Sequence, residues 1–174
     1  MDGIRDAPHP PATLAASCAI ASEKALEDAW TEVQRMNLEA ICAAIKAKYV
    51  ESPLTLEVNG LFYDHAPPGT EFPYITYFVV DALPEYSFNT QLENVRVQFS
   101  VWSYDPDLAA EQSPLTVMRI GKTLTELYDD CSLTISGYDL VRMHRVGGGN
   151  PVGDPSPDGG WQLPIDYMIR VQEV

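Results

Sequence analysis

The residues best suited by type and spacing to do chemistry lie near the C-terminus, in 147-GGGNPVGDPSPDGG-160. A glycine-rich loop binds phosphate when a helix N-terminus follows it and a basic side chain assists. Here the glycines lead into an acidic, proline-containing segment with Asp154 and Asp158, and then into an alternating strand pattern at 161–171. Because no helix is predicted there and no lysine follows Lys122, the mechanism for phosphate binding is missing. We predict that residues 147–160 connect a long terminal β-hairpin and form an acidic arm.

The histidines and cysteines are the other candidates for catalysis or metal binding: His9, His65, His144, Cys18, Cys42 and Cys131. No pair has the spacing of zinc ligands, and three widely separated cysteines do not make a disulfide framework. We expect the thiols to be buried on helical stripes as small hydrophobic groups. An enzyme would require His144, a cysteine and a carboxylate to converge in a pocket. We therefore predict no catalytic residue, no metal site and no cofactor.

The charge of the chain restricts its partners. The 174 residues include 25 acidic and 11 basic side chains, giving a formal net charge of −14. Proteins that bind nucleic acid through its phosphates need clustered lysine and arginine, so specific nucleic-acid recognition is not expected. The apolar run 14-LAASCAIA-21 is too short for a membrane span, and no membrane partner is predicted.

Hydrophobic periodicity predicts an α+β fold. Helical spacing covers 23–50, with a possible new start at Met36-Asn37, and a second helix begins at Ser113-Pro114 with an apolar stripe through Val117, Ile120, Leu124, Leu127 and Cys131. Strand patterns occupy 56–63, 74–81, 94–104, 139–146 and 161–171, and 82–93 is predicted to be a long loop. Pro164 cannot donate a backbone hydrogen bond, so we expect its nitrogen to face an edge or a gap.

The predicted elements give a single domain: a mostly antiparallel β-sheet of four to five strands with two main helices packed on it. Residues 36–174 contain all of the strands and the second helix. Residues 1–35 are predicted to be an N-terminal extension, partly disordered and partly helical.

Residues 37–174 resemble the tail-terminator or tail-completion (head–tail joining) proteins of long-tailed bacteriophages. The resemblance rests on the order and spacing of five segments: 38-LEAICAAIKAKYV-50, 60-GLFYDHAPPGTEFPYITY-77, 95-VRVQFSVWSYD-105, 117-VMRIGKTLTELYDD-130 and 154-DPSPDGGWQLPIDYMIRV-171. It implies a non-catalytic structural protein of the virion. Such a protein forms a ring, expected to be a hexamer, that caps the tail tube and helps join the tail to the head.

The resemblance implies partners and a location. The partners would be further copies of the chain, the tail tube protein and the head-completion or connector protein. The location would be the tail–neck junction of the virion, and the host bacterial cytoplasm during assembly. The alternatives left open are a non-catalytic dimeric adaptor and a small-ligand-binding α+β domain.

A closed ring needs two different contact patches on each subunit. The two long connections at hairpin ends, 82–93 and 147–160, are the candidates, because both carry residues suited to an interface. The predicted interface residues are Tyr86, Phe88, Asn89, Asn150, Asp154, Asp158 and Trp161.

Overall fold

The computed structural model describes residues 38–87, 90–104, 113–153 and 160–174. Helix α1 covers residues 38–50, and helix α2 is Ser113–Tyr128. The predicted extension, residues 1–35, lies outside the described residues. The strands are β1 (Leu61–Tyr63), β2 (Tyr74–Ser87), β3 (Thr90–Ser103), β4 (Tyr138–Gly148), β5 (Val152–Gly153) and β6 (Trp161–Glu173).

The strands form one six-stranded sheet in the order β1-β2-β3-β6-β4, and β5 also pairs with β6. Among the described strands β1 and β2 are the one parallel pair, and the other pairs are antiparallel. Both helices pack on the same side, since Tyr128 of α2 and Tyr77 of β2 each donate a hydrogen bond to an α1 carbonyl. The predicted α+β class, with a mostly antiparallel sheet and two helices, is confirmed.

The helix-covered side of the sheet, called here the covered face, holds the core. Phe99 lies at its centre, with its ring centroid 5.0 Å from that of Tyr128 and 5.7 Å from those of Tyr77 and Tyr167. The tyrosine hydroxyls stay paired: Tyr128 donates to the Ile45 carbonyl over 2.9 Å. A fully buried set surrounds these rings: Ile41, Ile45, Ile75, Val95, Val97, Val101, Val117, Ile120, Leu124, Met143, Ile169 and Val171.

The prediction of a long loop at 82–93 is wrong. Both strands continue through this segment, and their register runs to Ser87 opposite Thr90. Pro84 and the polar side chains suggested a loop, but proline is tolerated where a strand lies at a sheet edge. Within the described residues β1 pairs only with Ile75–Tyr77, so the rest of β2 is such an edge.

Two smaller expectations also need correction. Of the segment predicted as a strand at 56–63, only Leu61–Tyr63 form one, strand β1, and Leu56 is the last residue of a 3₁₀ turn at Pro53–Leu56. The buried stripe of α2 ends on Tyr128, which is fully buried, whereas Leu127 and Cys131 are only half-buried. Tyr128 keeps the helical spacing from Leu124, and its hydroxyl finds a buried acceptor in α1.

Candidate interaction surfaces

The described part of the glycine-rich stretch, residues 147–153, lies along the edge of β6. Strand β4 leaves β6 at Gly148 opposite Ile165, and β5 rejoins it at Val152 opposite Gln162. Between them the Gly149 nitrogen donates to the Pro164 carbonyl over 2.9 Å. A strand residue directs its nitrogen and its carbonyl to the same side, so the Pro164 nitrogen faces the gap between β4 and β5. The predicted terminal hairpin and the predicted position of Pro164 are confirmed.

Gly149 lies where the backbone passes close to Pro164 of β6. A Cβ placed on it would lie 2.9 Å from Pro164 Cγ, closer than ordinary van der Waals contact. The glycine therefore permits a close backbone approach within a hairpin.

The predicted interface residues fall at two places. Trp161 is half-buried at the start of β6, with its ring against Gly153, and Asn150 is exposed beside a groove of about 360 Å³. Tyr86 lies in β2 opposite Gln91. Four predicted residues lie outside the described residues: Phe88, Asn89, Asp154 and Asp158.

The structure keeps the two predicted patches apart. Strand β3 places Gln91 beside Tyr86 at one end and Ser103 beside Trp161 at the other. At about 3.3 Å per residue, these ends are separated by roughly 40 Å. Two separate patches match the need of a ring, but the role of these residues stays a prediction.

A third surface is the side of β2, β3 and β6 that neither α1 nor α2 covers, called here the open face. Its centre is Asp166, which accepts hydrogen bonds from Arg96 Nη2 at 2.6 Å and from Gln98 Nε2 at 2.7 Å. Burial raises the pKa of Asp166, but these two bonds and the Arg96 charge outweigh it, and the pKa lies below its ordinary value. The carboxylate is therefore held ionised within the sheet.

A second ion pair lies toward the β2–β3 turn. Arg170 Nη2 is 2.8 Å from Glu85 Oε2, and the Asn94 side-chain nitrogen donates to the same oxygen over 2.9 Å. Four side-chain atoms of the sheet are buried and have no hydrogen-bond partner within the described chain: Asp81 Oδ1, Arg96 Nε, His144 Nδ1 and Arg170 Nε. Strand pairing places all four residues on the open face or its continuation on β4.

The other end of the open face carries a group of rings, called here the aromatic cluster: Phe62, Phe72, Tyr74, Trp102 and Tyr104. Tyr74 is stacked on Phe72 at 4.9 Å between centroids, and its ring lies 6.4 Å from that of Trp102. Trp102 donates its indole N–H to Thr76 over 3.0 Å. These rings keep some solvent exposure, and half-buried aromatic side chains are typical of protein interfaces.

The sequence does not single out the open face, because polar residues at every second strand position are also typical of a solvated face. The signal that distinguishes it is the type of residue at these alternate positions. In 94-NVRVQFSVWSY-104 the residues that alternate with the core include an arginine and a tryptophan.

The two carboxylates that follow α2, Asp129 and Asp130, pair with side chains of β4 and β6. Asp129 accepts a hydrogen bond from the Tyr167 hydroxyl at 2.7 Å and lies 3.1 Å from Arg145. Asp130 accepts one from Arg142 Nε at 3.2 Å. Carboxylates at a helix C-terminus are slightly unfavourable with the helix dipole, and these two arginines compensate for that here.

Among the described residues, Cys131 does not join His144 in the constellation that an enzyme would require. The Cys131 thiol lies 3.8 Å from Met143 Sδ on the covered side of β4, whereas His144 is directed to the opposite side. Burial raises the pKa of the Cys131 thiol, which disfavours the reactive thiolate. In the part of the chain that the structure describes, no three metal-ligating side chains come together.

Helix α2 has an outward face that is apolar and basic: Leu115, Met118, Arg119 and Lys122. These positions follow i, i+3, i+4, i+7 spacing, and Leu115 and Met118 are 61% and 51% exposed. Arg119 pairs with Glu57 at 2.6 Å and Lys122 with Glu126 at 3.6 Å. This helix face therefore exposes apolar side chains next to two ion pairs, whereas the chain as a whole carries a net charge of −14.

The described chain therefore combines a buried core with exposed apolar residues such as Leu115 and Met118. Among solved structures, the chain matches one in the structure described as "Virion of native gene transfer agent (GTA) particle", with a TM-score of 0.66. The match covers 78% of this chain and 97% of that one at 16% identity, so it shows the fold. No curated protein sequence matches significantly.

The sequence pattern of the family described as "Tail completion protein gp17" matches residues 39–151, from α1 through β4. The chain belongs to this family and is a structural protein of a bacteriophage tail. The resemblance to tail-completion proteins is confirmed. None of the described helices has the length and apolar character to cross a membrane.

Proposed function

We propose that this protein closes the end of a phage tail tube as a ring and helps to join the tail to the head. The observation that carries the proposal is the family match, which spans both helices and the first four strands. The geometry of the subunit supports it, because patches that are separated along β3 can meet two different neighbours. A contact between unlike patches repeats from subunit to subunit and closes when the rotation fits.

The partners in this proposal are other copies of the chain, the tail tube protein and the head-completion or connector protein, with six copies in the ring. The position is the tail–neck junction, reached by assembly in the host cytoplasm. The net charge of −14 suits a ring through which DNA passes, since an acidic lumen repels phosphates. The role is structural and requires no catalytic group.

Electron microscopy of tails made without this protein tests the proposal. We expect tubes of uncontrolled length that do not join heads, and we expect added full-length protein to cap tubes and restore joining. Native mass measurement of the capped complex would then count the copies. Tails of normal length, joined to heads in the absence of the protein, would overturn the proposal. A persistent dimer that ignores tail tubes would favour the adaptor alternative.

The arm provides a narrower test. Replacing 154–158 by Gly-Ser residues of equal number leaves the β5 pairing of Val152 and Gly153 with β6 intact. We expect unchanged unfolding of the monomer and impaired capping of tail tubes. The matched control places the same linker chemistry at the exposed turn 67–70, which lies outside both predicted patches. Normal capping by the arm variant would show that the arm has no role in assembly.

A further inference from the structure

We infer that Asn59–Gly60 is a site of covalent modification, deamidation, which the fold suppresses while the β1–β2 connection, residues 64–73, stays in place. Asparagine is a thermolabile residue, and a following glycine offers the least hindered backbone nitrogen for the reaction. Of the five asparagines in the chain, Asn59 alone is followed by glycine, and it is exposed to water. The inference is independent of the proposed ring.

The structure requires an asparagine at position 59. The Asn59 Nδ2 atom donates to the Glu71 carbonyl over 3.2 Å and to the Phe72 carbonyl over 3.1 Å. Both hydrogens of the side-chain amide are therefore used to hold the end of the β1–β2 connection. An aspartate has no hydrogen to donate when it is ionised, so it cannot make either bond.

The structure also requires a glycine at position 60. A Cβ placed on Gly60 would lie 2.4 Å from Phe62 Cζ, because the Phe62 ring lies against this glycine. The same ring meets Tyr74 edge-on, with 6.3 Å between the centroids, within the aromatic cluster. Packing therefore selects the glycine that makes the dipeptide chemically reactive.

The backbone of the dipeptide is held on both sides. The Asn59 nitrogen donates to the Pro73 carbonyl over 2.7 Å, and the Gly60 carbonyl accepts from the Ile75 nitrogen at 2.9 Å. Deamidation requires the Gly60 nitrogen to swing onto the Asn59 side-chain carbon, which rotates the backbone between the two residues. Because these hydrogen bonds oppose that rotation, the reaction proceeds from a locally opened state.

The reaction needs no partner other than water. The Gly60 nitrogen gives up its proton to solvent and bonds to Asn59 Cγ. The bond between Cγ and Nδ2 breaks, and the amide nitrogen takes a proton from solvent and leaves as ammonia. Water then opens the five-membered succinimide at either of its carbonyls, which yields aspartate or isoaspartate and adds one negative charge. No electron is transferred to or from another group.

The product cannot restore the closed connection. A carboxylate at position 59 faces the carbonyl oxygens of Glu71 and Phe72, which repel it. Isoaspartate also lengthens the main chain by one atom, which displaces the hydrogen bond to Pro73. Phe72 is stacked on Tyr74 at 4.9 Å between centroids, so release of the connection removes a ring from the aromatic cluster. The modification therefore acts as a switch that runs in one direction.

Peptide mass spectrometry of the full-length protein tests the inference. Samples are kept in mildly alkaline buffer, and conversion at position 59 is followed with time. Phe72→Ala removes the stacking on Tyr74, and we expect it to raise the conversion rate about fivefold, as loss of one aromatic pair predicts. The matched control is Leu83→Ala, which truncates an exposed side chain of β2 outside the connection and should leave the rate unchanged. Conversion should be fastest in urea.

The outcomes are distinct. Equal rates in native buffer and in urea would show that the fold gives no protection, and no conversion in urea would remove the site. Asn94, which precedes a valine, is the internal reference and should stay unconverted. If circular dichroism shows that Phe72→Ala is unfolded, Thr70→Ala takes its place, because it removes only the hydroxyl bond to the Pro67 carbonyl.

Hydrogen exchange provides the second measurement. Asn59→Asp reproduces one product of the reaction and removes both side-chain bonds to the connection. We expect the Ile75 N–H, which donates to the Gly60 carbonyl, to exchange at least about tenfold faster in this variant. Asn94→Asp is the control, since it removes a side-chain donor to Glu85 at the other end of the β2–β3 pair. Unchanged exchange in Asn59→Asp would show that the amide does not hold the connection, which overturns the inference.

Discussion

The two faces of the sheet are made from alternate residues of the same strands. On β3, Val97 and Phe99 are fully buried beneath the helices, whereas Arg96 and Gln98 point to the side that neither helix covers. The covered face satisfies its polar groups inside the subunit, as Tyr128 does through the Ile45 carbonyl. The open face pairs some of its charges, whereas other buried atoms there have no hydrogen-bond partner among the described residues. The two faces therefore differ in how completely the described chain pairs their polar groups.

The largest expected effect compares two phenylalanines on neighbouring strands. Phe99 on the covered face contacts three tyrosine rings, and Phe78 on the open face is half-buried. We expect Phe99→Ala to lower the free energy of unfolding by about 3–5 kcal/mol, because it leaves a cavity in the core. Phe78→Ala should cost about 1 kcal/mol, in proportion to the smaller area buried. Denaturant unfolding measures both, and equal losses would mean that the faces do not differ in this way.

This contrast also shows what the sequence can predict. The strict alternation in β3 and β6 predicts both strands and assigns Phe99 and Tyr167 to one side, because a period of two fixes which residues share a face. It cannot tell whether the other side is solvated, covered or an interface, since all three accept polar residues. The partners of Asp166 come from a strand about 70 positions away, and no local pattern carries that information.

In the β2–β3 hairpin, the residue types predict a loop where the structure has paired strands. Pro84, Glu85 and Asn94 are turn-like by type, yet they lie in paired strands because tertiary pairing overrides weak local preference. The sequence predicts a loop at the candidate interface residue Tyr86, whereas the structure has a strand there. The hairpin predicted at the glycines is confirmed for residues 147–153, because the strand pattern at 161–171 is itself a local feature.

The next effect tests how closely α2 approaches the covered face. A Cβ on Gly121 would lie 2.5 Å from Leu163 Cδ2, so any larger residue there requires the buried Leu163 side chain or the helix to move. We expect Gly121→Val to lower the free energy of unfolding by about 1–3 kcal/mol through overpacking. Gly148→Ala is the matched control, because a Cβ there would meet nothing within 4 Å. Thermal unfolding compares the two, and an unchanged midpoint for Gly121→Val would mean that the helix can shift without cost.

A smaller effect concerns the polar groups of the covered face. Tyr128→Phe removes the hydrogen bond to the Ile45 carbonyl and leaves the ring in place. We expect a loss of about 1 kcal/mol in the free energy of unfolding, the usual net contribution of one such bond. Tyr63→Phe is the control, since its ring is exposed and its hydroxyl can be replaced by water. If Tyr128→Phe is neutral in urea unfolding, the hydroxyl contributes no net stability to the core.

The smallest effect belongs to the Asp166 carboxylate of the open face. Its folded-state pKa lies below the ordinary value, so its stabilising effect is fully present above about pH 4 and is lost as the pH falls through the folded pKa. Because Arg96 is 40% exposed, solvent screens the pair, and we expect Asp166→Asn to cost about 1 kcal/mol at pH 7. The difference between the variant and the unaltered protein should shrink toward zero as the pH falls through the folded-state pKa of Asp166.

Glu85→Gln is the control for that measurement, because the Glu85–Arg170 pair is more exposed and should contribute only a few tenths of a kcal/mol. Urea unfolding at several pH values compares the two variants. A pH-independent cost of Asp166→Asn would mean that the carboxylate acts by shape rather than by charge.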